Sequence, residues 1–311
     1  MCVADPLASV RDALDRAIAD VAAAEYGRLA DGLSPDAEAK EVNDALQSLL
    51  LLKQGTPPDY DSDWIAPFYV TWYQPRQINL AYAAVREHIS ADDPPQCVVG
   101  YGSGAWAMQF ALAIALAEKQ CVGAIVHRLD PSDPLTHLGA KLWSKFNEIL
   151  CEQYPNDDFA QCLAINLEFI AEFSRTHTCL ADAVPYLSVP MADCWFTAVH
   201  AIYEKNSTDL RDVLRTAEDD NAPAFALATF DGYSDRKPSF NRTAFFQELG
   251  FEHTTLATTW RGDCPATTKW RHGLAERLPH FSSNHLLKRS VTWGGRLATG
   301  QDVAMTRRRT Q

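Results

Sequence analysis

No long apolar run, no internal repeat, no low-complexity tract and no closely spaced cysteine pair occurs in this chain, and basic residues are in deficit. Each absence excludes something. The most apolar stretch, around Trp106–Ala117, is far shorter than the roughly 20 residues that cross a bilayer as a helix, so no membrane association is expected. The eight cysteines, at 2, 97, 121, 151, 162, 179, 194 and 264, contain no Cys-x-x-Cys, the spacing from which zinc and iron–sulfur sites are usually built, so no metal is expected. Several lie in apolar runs where a free thiol packs as a small hydrophobe, which points to a reducing compartment. Lys and Arg number 28 against 40 Asp and Glu, a formal charge of −12. That balance argues against a nucleic-acid surface, because phosphates are held by basic side chains. The one basic run, TRRRTQ at the end, reads as a solvated tail. The start, MCVADPLASVRDALDR, lacks the basic-then-apolar plan of an export signal. A cytoplasmic protein is therefore expected, in which the sequons at Asn206 and Asn241 carry no sugar.

What is present is core material: 47% of the 311 residues are hydrophobic, enough for one large domain with an extension. Leu7, Val10, Leu14, Ala17, Ile18 and Val21 recur at helical spacing and predict a first helix from about Pro6 to Ala30. A second begins at SPDAEAKEV, with Ser34 as N-cap, Pro35 at the first helical position and acids in the first turn. Gly55 and Pro57-Pro58 end it. The aromatic stretch DWIAPFYVTWYQPRQINLAYAAVREHI follows, helical from about Gln77 to Ile89. From Cys97 the pattern changes. Strands are predicted at Cys97–Tyr101, Val122–Leu129, Thr176–Ala181, Cys194–His200 and Ala224–Phe230, alternating with helices at Ala105–Glu118, Leu135–Leu150, Phe159–Phe173, Ser207–Ala217 and Arg242–Leu249. Such alternation implies parallel βαβ units and an α/β fold, a mostly parallel sheet with helices on both faces, behind a helical N-terminal extension. The expected division is a helical cap or lid over residues 1–92 and a sheet domain over 93–311.

Open α/β sheets bind ligands beyond the carboxyl ends of their strands. After the first strand comes Gly100-Tyr101-Gly102-Ser103-Gly104, where glycine permits positive φ and close approach, and the next helix offers unpaired N–H groups. Alone, the turn allows a cofactor cradle, a nucleophilic serine or a sharp change of direction. The second strand runs into HRLDPSDPLTHLGAKLW, placing Asp130 where a carboxylate can accept from a ribose diol, or cap a helix starting near Pro131. The third runs into CLADAVPYLSVPMADCWF, with Asp182 at its tip. The fourth ends at His200 and Tyr203 in FTAVHAIYEKN; the imidazole can take a proton near neutral pH, or simply pack at a strand end. Asp231 and Tyr233, in TFDGYSDRKP after the fifth strand, contact a substrate or shape a turn. Trp64, Phe68, Tyr69, Trp72 and Tyr73 form either a lid over a planar or apolar substrate or a core that docks the N-terminal helices, and the same two readings hold for Trp260, Trp270 and Trp293.

The series VVGYGSGAW, HRLDPS and ADAVPYL, followed by ADCWFTAVHAIYE, resembles the class I S-adenosylmethionine (SAM)-dependent methyltransferases from about Tyr73 to Phe251. That resemblance implies a Rossmann-like fold, SAM as cofactor, and a glycine turn, a ribose acid and an Asp-Ala bordering the adenine. Carried onto this chain, the cofactor residues are Tyr73, Arg76, Gly100, Tyr101, Gly102, Gly104, Asp130, Pro131, Asp182 and Ala183. Trp72, Asp231 and Tyr233 would face the substrate, and His200 with Tyr203 the transferred methyl. The expected function is methylation of a small molecule, in small-molecule biosynthesis. The long first helix and LDPSDPLTHLGAKLW are also similar to methyltransferase-like proteins of the small ribosomal subunit, but this chain has no cysteine cluster of their kind. Two positions depart from the family motif. Gly100 stands where an acid helps hold the cofactor's amino-acid moiety, and Trp106 where a third glycine belongs. Arg76, Gln77 or the Tyr73 hydroxyl could compensate.

Two other readings compete. A hydrolase nucleophile elbow needs a serine between small residues; aligned on Gly100 the nucleophile position is Gly102, and aligned on Ser103 the bulky Tyr101 falls where a small residue is required. His272, His280 and His285 exist, but no acid–loop–histidine arrangement accompanies them. The other is a methyltransferase fold that has lost catalysis and serves binding or assembly, favoured by Gly100 and Trp106 and opposed by Asp130 and Asp182.

Overall fold

The computed structural model describes residues 7–51, 57–199, 201, 207–215, 219–231, 240–254, 264–278 and 302–309. Helix α1 (Ala8–Ala30) and helix α2 (Pro35–Leu50) arise where the apolar spacing places them. Ser34 Oγ accepts from the Ala37 N–H, with Pro35 at the first helical position and Asp36 and Glu38 in the first turn. Then come α3 (Ile65–Trp72), α4 (Gln74–Val85), β1 (Cys97–Tyr101), α5 (Ala107–Glu118), β2 (Ile125–Leu129), α6 (Asp133–Gln153), α7 (Asp158–Phe173) and β3 (Arg175–His177). The later elements are α8 (Leu180–Ala183), β4 (Trp195–Val199), α9 (Ser207–Leu214), β5 (Phe225–Asp231), α10 (Arg242–Glu248), β6 (Glu252–His253), α11 (Pro265–Arg277) and β7 (Asp302–Arg308). Among the described residues no helix is long and apolar enough to cross a membrane.

The protein is α/β, with a seven-stranded, mostly parallel sheet in the order β3-β2-β1-β4-β5-β7-β6. Strands β1 to β5 run parallel, while β7 is antiparallel to both β5 and β6. Apolar runs such as CVV and WFTAV suit strands covered on both faces, and Cys97, Val98, Val99, Phe196 and Ala198 are at most 1% exposed. From β1 the chain steps outward through β2 to β3, then returns to lay β4 on the other side of β1. The order therefore reverses between β1 and β4, and open sheets bind ligands at that point.

Several expectations need correction. The third strand stops at His177, because β3 is an edge strand with one partner, and the chain then turns to bury Ala183 and pack Leu180 against the core. The second strand starts only at Ile125, since Ala124 sits at φ +76°, outside the extended region. The basic run near the end is no solvated tail: Thr306, Arg307 and Arg308 belong to β7, and Arg307 is 4% exposed. Its guanidinium donates to the carbonyls of Leu214, Arg215 and Leu249 at 2.6, 2.7 and 2.9 Å. Burial pushes its pKa down to about 10.

Two compact units divide the described chain. The helical unit takes residues within 1–76, 132–161 and 260–297; the sheet unit takes those within 77–131, 162–259 and 298–311. In the helical unit α1 packs on α3, α6 and α11. The Tyr26 ring meets Trp64, Phe68 and Trp270 edge-on, at centroid distances of 5.7 to 6.1 Å; Phe68 is core, while Trp64 and Trp270 are half-buried. Glu25, nearly buried, is held by Arg28 and Lys141, both at 2.7 Å. Asp15, 6% exposed, caps α11 by accepting from the N–H groups of Ala266 and Thr267 and from the Thr267 hydroxyl, at 2.6, 3.1 and 2.7 Å. Replacing Asp15 with Ala leaves the Thr267 N–H without its buried acceptor and uncaps the Ala266 N–H, while the Thr267 hydroxyl keeps the Cys264 carbonyl at 3.1 Å, so Asp15→Ala is expected to lower unfolding stability by about 2 kcal/mol. A urea titration followed by circular dichroism measures this; a loss below about 1 kcal/mol contradicts the capping role.

Candidate functional site

Strand β1 delivers its glycine turn to the point where the strand order reverses. Gly100 lies between Arg128 of β2 and Thr197 of β4 in register. The chain then leaves the sheet sharply: the N–H groups of Gly102 and Ser103 both donate to the Leu129 carbonyl, at 2.8 and 3.3 Å. Gly102 and Gly104 adopt φ of +62° and +46°. A Cβ on Gly102 would lie 2.0 Å from the Ala201 Cβ, so only glycine lets the segment after β4 come this close. Trp106, at the position of the motif's third glycine, is also left-handed at φ +68° and is the N-cap residue of α5, which has neither a side-chain cap nor an acid in its first turn.

Asp130 follows β2 directly, and its carboxylate accepts from the Gly104 N–H at 2.6 Å. Its own N–H donates to the His177 carbonyl. It does not cap the next helix, since Ser132 does so by accepting from the Leu135 N–H at 3.4 Å. Of the expected cofactor residues, Gly100, Tyr101, Gly102, Gly104 and Asp130 are thus brought together. Pro131 is exposed next to them in sequence. Asp182 lies on α8, exposed, its pKa lowered by a hydrogen bond from the Thr178 hydroxyl at 2.5 Å. Ala183 is buried in the core with Leu129 and Phe196. Trp72, Tyr73 and Arg76 are half-buried residues of the helical unit, at the end of α3 and the start of α4. Asp231 ends β5 opposite Asp302 of β7. His200, Tyr203 and Tyr233 lie outside the described residues, as do Trp260, Trp293, His280 and His285.

Sequence reasoning missed the groups that pack around Gly100. Ser103 Oγ donates to the Gly100 carbonyl at 2.8 Å, and Gln109 Nε2 reaches Ser103 Oγ at 3.5 Å. A Cβ on Gly100 would meet Ser103 Oγ at 2.9 Å, Gln109 Nε2 at 3.4 Å and Thr197 Oγ1 at 3.7 Å. Ser103 and Gln109 therefore crowd the space into which any side chain at position 100 would extend. A crevice of about 10 Å³ adjoins Ser103 and Gly100, lined also by Gln77, Ala107, Met108 and Thr197 among others; it has room for one water-sized group. One available signal pointed here: Gln109 is the sole polar residue of AMQFALAIALA.

Arg128 was also missed. It is 6% exposed, its Nε donates to Thr176 Oγ1 at 3.0 Å, and its guanidinium carbon lies 4.0 Å from the Trp106 ring centroid. Burial pushes its pKa down to about 10, and the ring face offsets part of the cost of desolvating a cation. Farther along, His127 Nδ1 and His177 Nε2 are 3.2 Å apart. Burial and the neighbouring His127 hold the His177 pKa below its usual value.

Gly100→Ala is expected to cost about 1–2 kcal/mol of stability through the clash with Ser103 Oγ, and Ser103→Ala in the same chain should recover most of it. Thermal or urea unfolding of the two single variants and the double variant measures the coupling; strictly additive losses would refute the crowding around Gly100. A scan of the chain against profiles of known protein families returns no match, and a search of curated proteins returns none either.

Proposed function

We infer that the sheet unit is a Rossmann-like, class I SAM-dependent methyltransferase domain that methylates a small molecule in the cytoplasm. One observation carries this reading: the glycine turn after β1 and the acid after β2 meet where the strand order reverses, with Gly104 N–H bonded to the Asp130 carboxylate. A ribose-binding acid belongs at that strand end. The residues fit the cofactor in part. Left-handed Gly102 and Gly104 present bare backbone, and α5 begins without a side-chain cap. The water-sized crevice beside Gly100 takes only one end of a molecule as large as SAM. When bound, SAM supplies an electrophilic methyl on a sulfonium. In this reading Asp130 orients the ribose, and the residues after β4, His200 and Tyr203, receive the acceptor's proton and position it. The net charge of −12 supports a small-molecule acceptor over RNA.

A second reading keeps the fold without the chemistry. It is favoured by the side chains crowding Gly100 and by the approach of Ala201 to Gly102.

Calorimetry with SAM and S-adenosylhomocysteine separates the two. The methyltransferase reading expects both to bind, and expects Asp130→Asn to weaken each by about tenfold or more, through loss of a charge-assisted hydrogen bond. No heat with either ligand would sink it and leave the binding or assembly role.

A further inference from the structure

Two of the buried cysteines lie side by side. Cys97 begins β1 and Cys194 directly precedes β4; Val98 registers against Trp195, so the cysteines are the next residues back along adjacent parallel strands. Neighbouring strands stand about 4.8 Å apart, inside the range of roughly 4.4–6.8 Å over which a disulfide spans two Cα atoms. Their side chains share a face of the sheet, because successive residues alternate and Cys97, Val99, Cys194 and Phe196 belong to one core cluster. Both thiols are free, and they are hydrogen-bonded to each other. That bond holds the Cys97 thiol well below its usual pKa and, with burial, raises that of Cys194.

A route for a proton leads away from the pair. His127 lies on the same face, opposite Val99 in register, and hydrogen-bonds the Cys97 thiol. Its Nδ1 is 3.2 Å from Nε2 of the half-buried His177. Its own Nε2 is buried and has no other partner among the described residues, so this is the nitrogen left to receive the Cys97 proton. Access is equally short. Ser188, which is exposed, also hydrogen-bonds Cys97, and the Cys194 thiol donates to the Pro190 and Val189 carbonyls at 3.4 and 3.9 Å. The two sulfurs therefore lie one residue beneath the surface segment that joins α8 to β4.

We propose that Cys97 and Cys194 are a redox-active dithiol, which closes a disulfide between β1 and β4 when a small peroxide enters beside Ser188. The Cys97 proton passes to His127 Nε2, and the thiolate, the nucleophilic form, attacks one peroxide oxygen. The O–O bond breaks, Cys97 becomes a sulfenic acid, and the departing hydroxide takes the proton from His127 to leave as water. The Cys194 sulfur then attacks the Cys97 sulfur. The S–S bond forms, the S–O bond breaks, and the hydroxide leaves as water with the Cys194 proton. Two thiols are oxidised and one peroxide is reduced to two waters. His127 is a positioning residue that also holds the proton. The pair sits at the amino end of β1, whereas the glycine turn lies beyond its carboxyl end, so this assignment does not rest on the SAM reading.

The test treats the reduced, folded full chain with hydrogen peroxide, blocks the remaining thiols, and maps the digest by mass spectrometry. The expected product is a peptide pair joined through Cys97 and Cys194 that dithiothreitol separates. In Cys194→Ala no such pair forms, and Cys97 sulfenic acid is instead trapped by dimedone. His127→Gln, which keeps a polar group but no base, slows the linkage about tenfold or more. Thermal melting checks that each variant folds. If the parent gives no Cys97–Cys194 linkage while the exposed Cys151 and Cys179 are oxidised, or gives it only in urea, the proposal fails. Linkage in His127→Gln at the parent's rate overturns the proton route.

Discussion

The packing around the bare Cα of Gly100 is the constraint on which the site depends. With no side chain there, the Ser103 hydroxyl turns back onto the Gly100 carbonyl and the Gln109 amide settles behind it. Helix α5 can then bring a polar residue against the middle of a parallel sheet, where Thr197 of β4 and Arg128 of β2 flank the same glycine. A run of buried polar groups crosses an otherwise apolar layer. The hydrogen bonds among them, Ser103 to the Gly100 carbonyl, Gln109 to Ser103 and Arg128 to Thr176, favour one arrangement over the rest. The same economy of volume recurs at Gly102, which lets Ala201 approach as no other residue would.

The helical unit is organised by a different pin. Asp15 faces the start of α11 and satisfies the main-chain donors that a helix N-terminus leaves unpaired. One turn further in, Arg271 is 2% exposed, donates from Nε to the Thr267 carbonyl, and among the described residues has no partner for Nη1 or Nη2. Burial pushes its pKa down to about 10. A base whose pKa is lower folded than unfolded opposes folding at neutral pH, and that cost is relieved only as pH rises toward and past about 10. Aromatic contacts of Tyr26 with Trp64, Phe68 and Trp270 supply burial on the other side.

Much of the fold was legible. Helix α2, with its Ser34 cap and Pro35, and strand β1 follow from local rules that hold whatever the rest of the chain does. The elements that escaped are α3, α8, β6, α11 and β7, and the last of them has no local signature. Strand β7 reads DVAMTRR, a charged segment whose extended form is stabilised by antiparallel pairing with β5 and by Arg307 reaching carbonyls at the ends of two helices. The division into units was equally hidden, because α6 and α11 join α1 through contacts far apart in sequence. At the site, the glycine turn and Asp130 could be read from their positions after strands. The meeting of Asp130 with Gly104, and the fact that Ser132 caps α6, required three dimensions.

By itself the sequence determined an acidic α/β protein with a glycine turn after its first strand, since composition, periodicity and turn chemistry are local properties. It also posed the problem of Gly100, the absence of any side chain at a strand end. Tertiary structure decided what fills that absence. Side chains from the turn and from α5 converge on the space only once β1, β2 and β4 are aligned and the helix is packed over them, because volume and hydrogen-bond satisfaction are properties of neighbours rather than of sequence position.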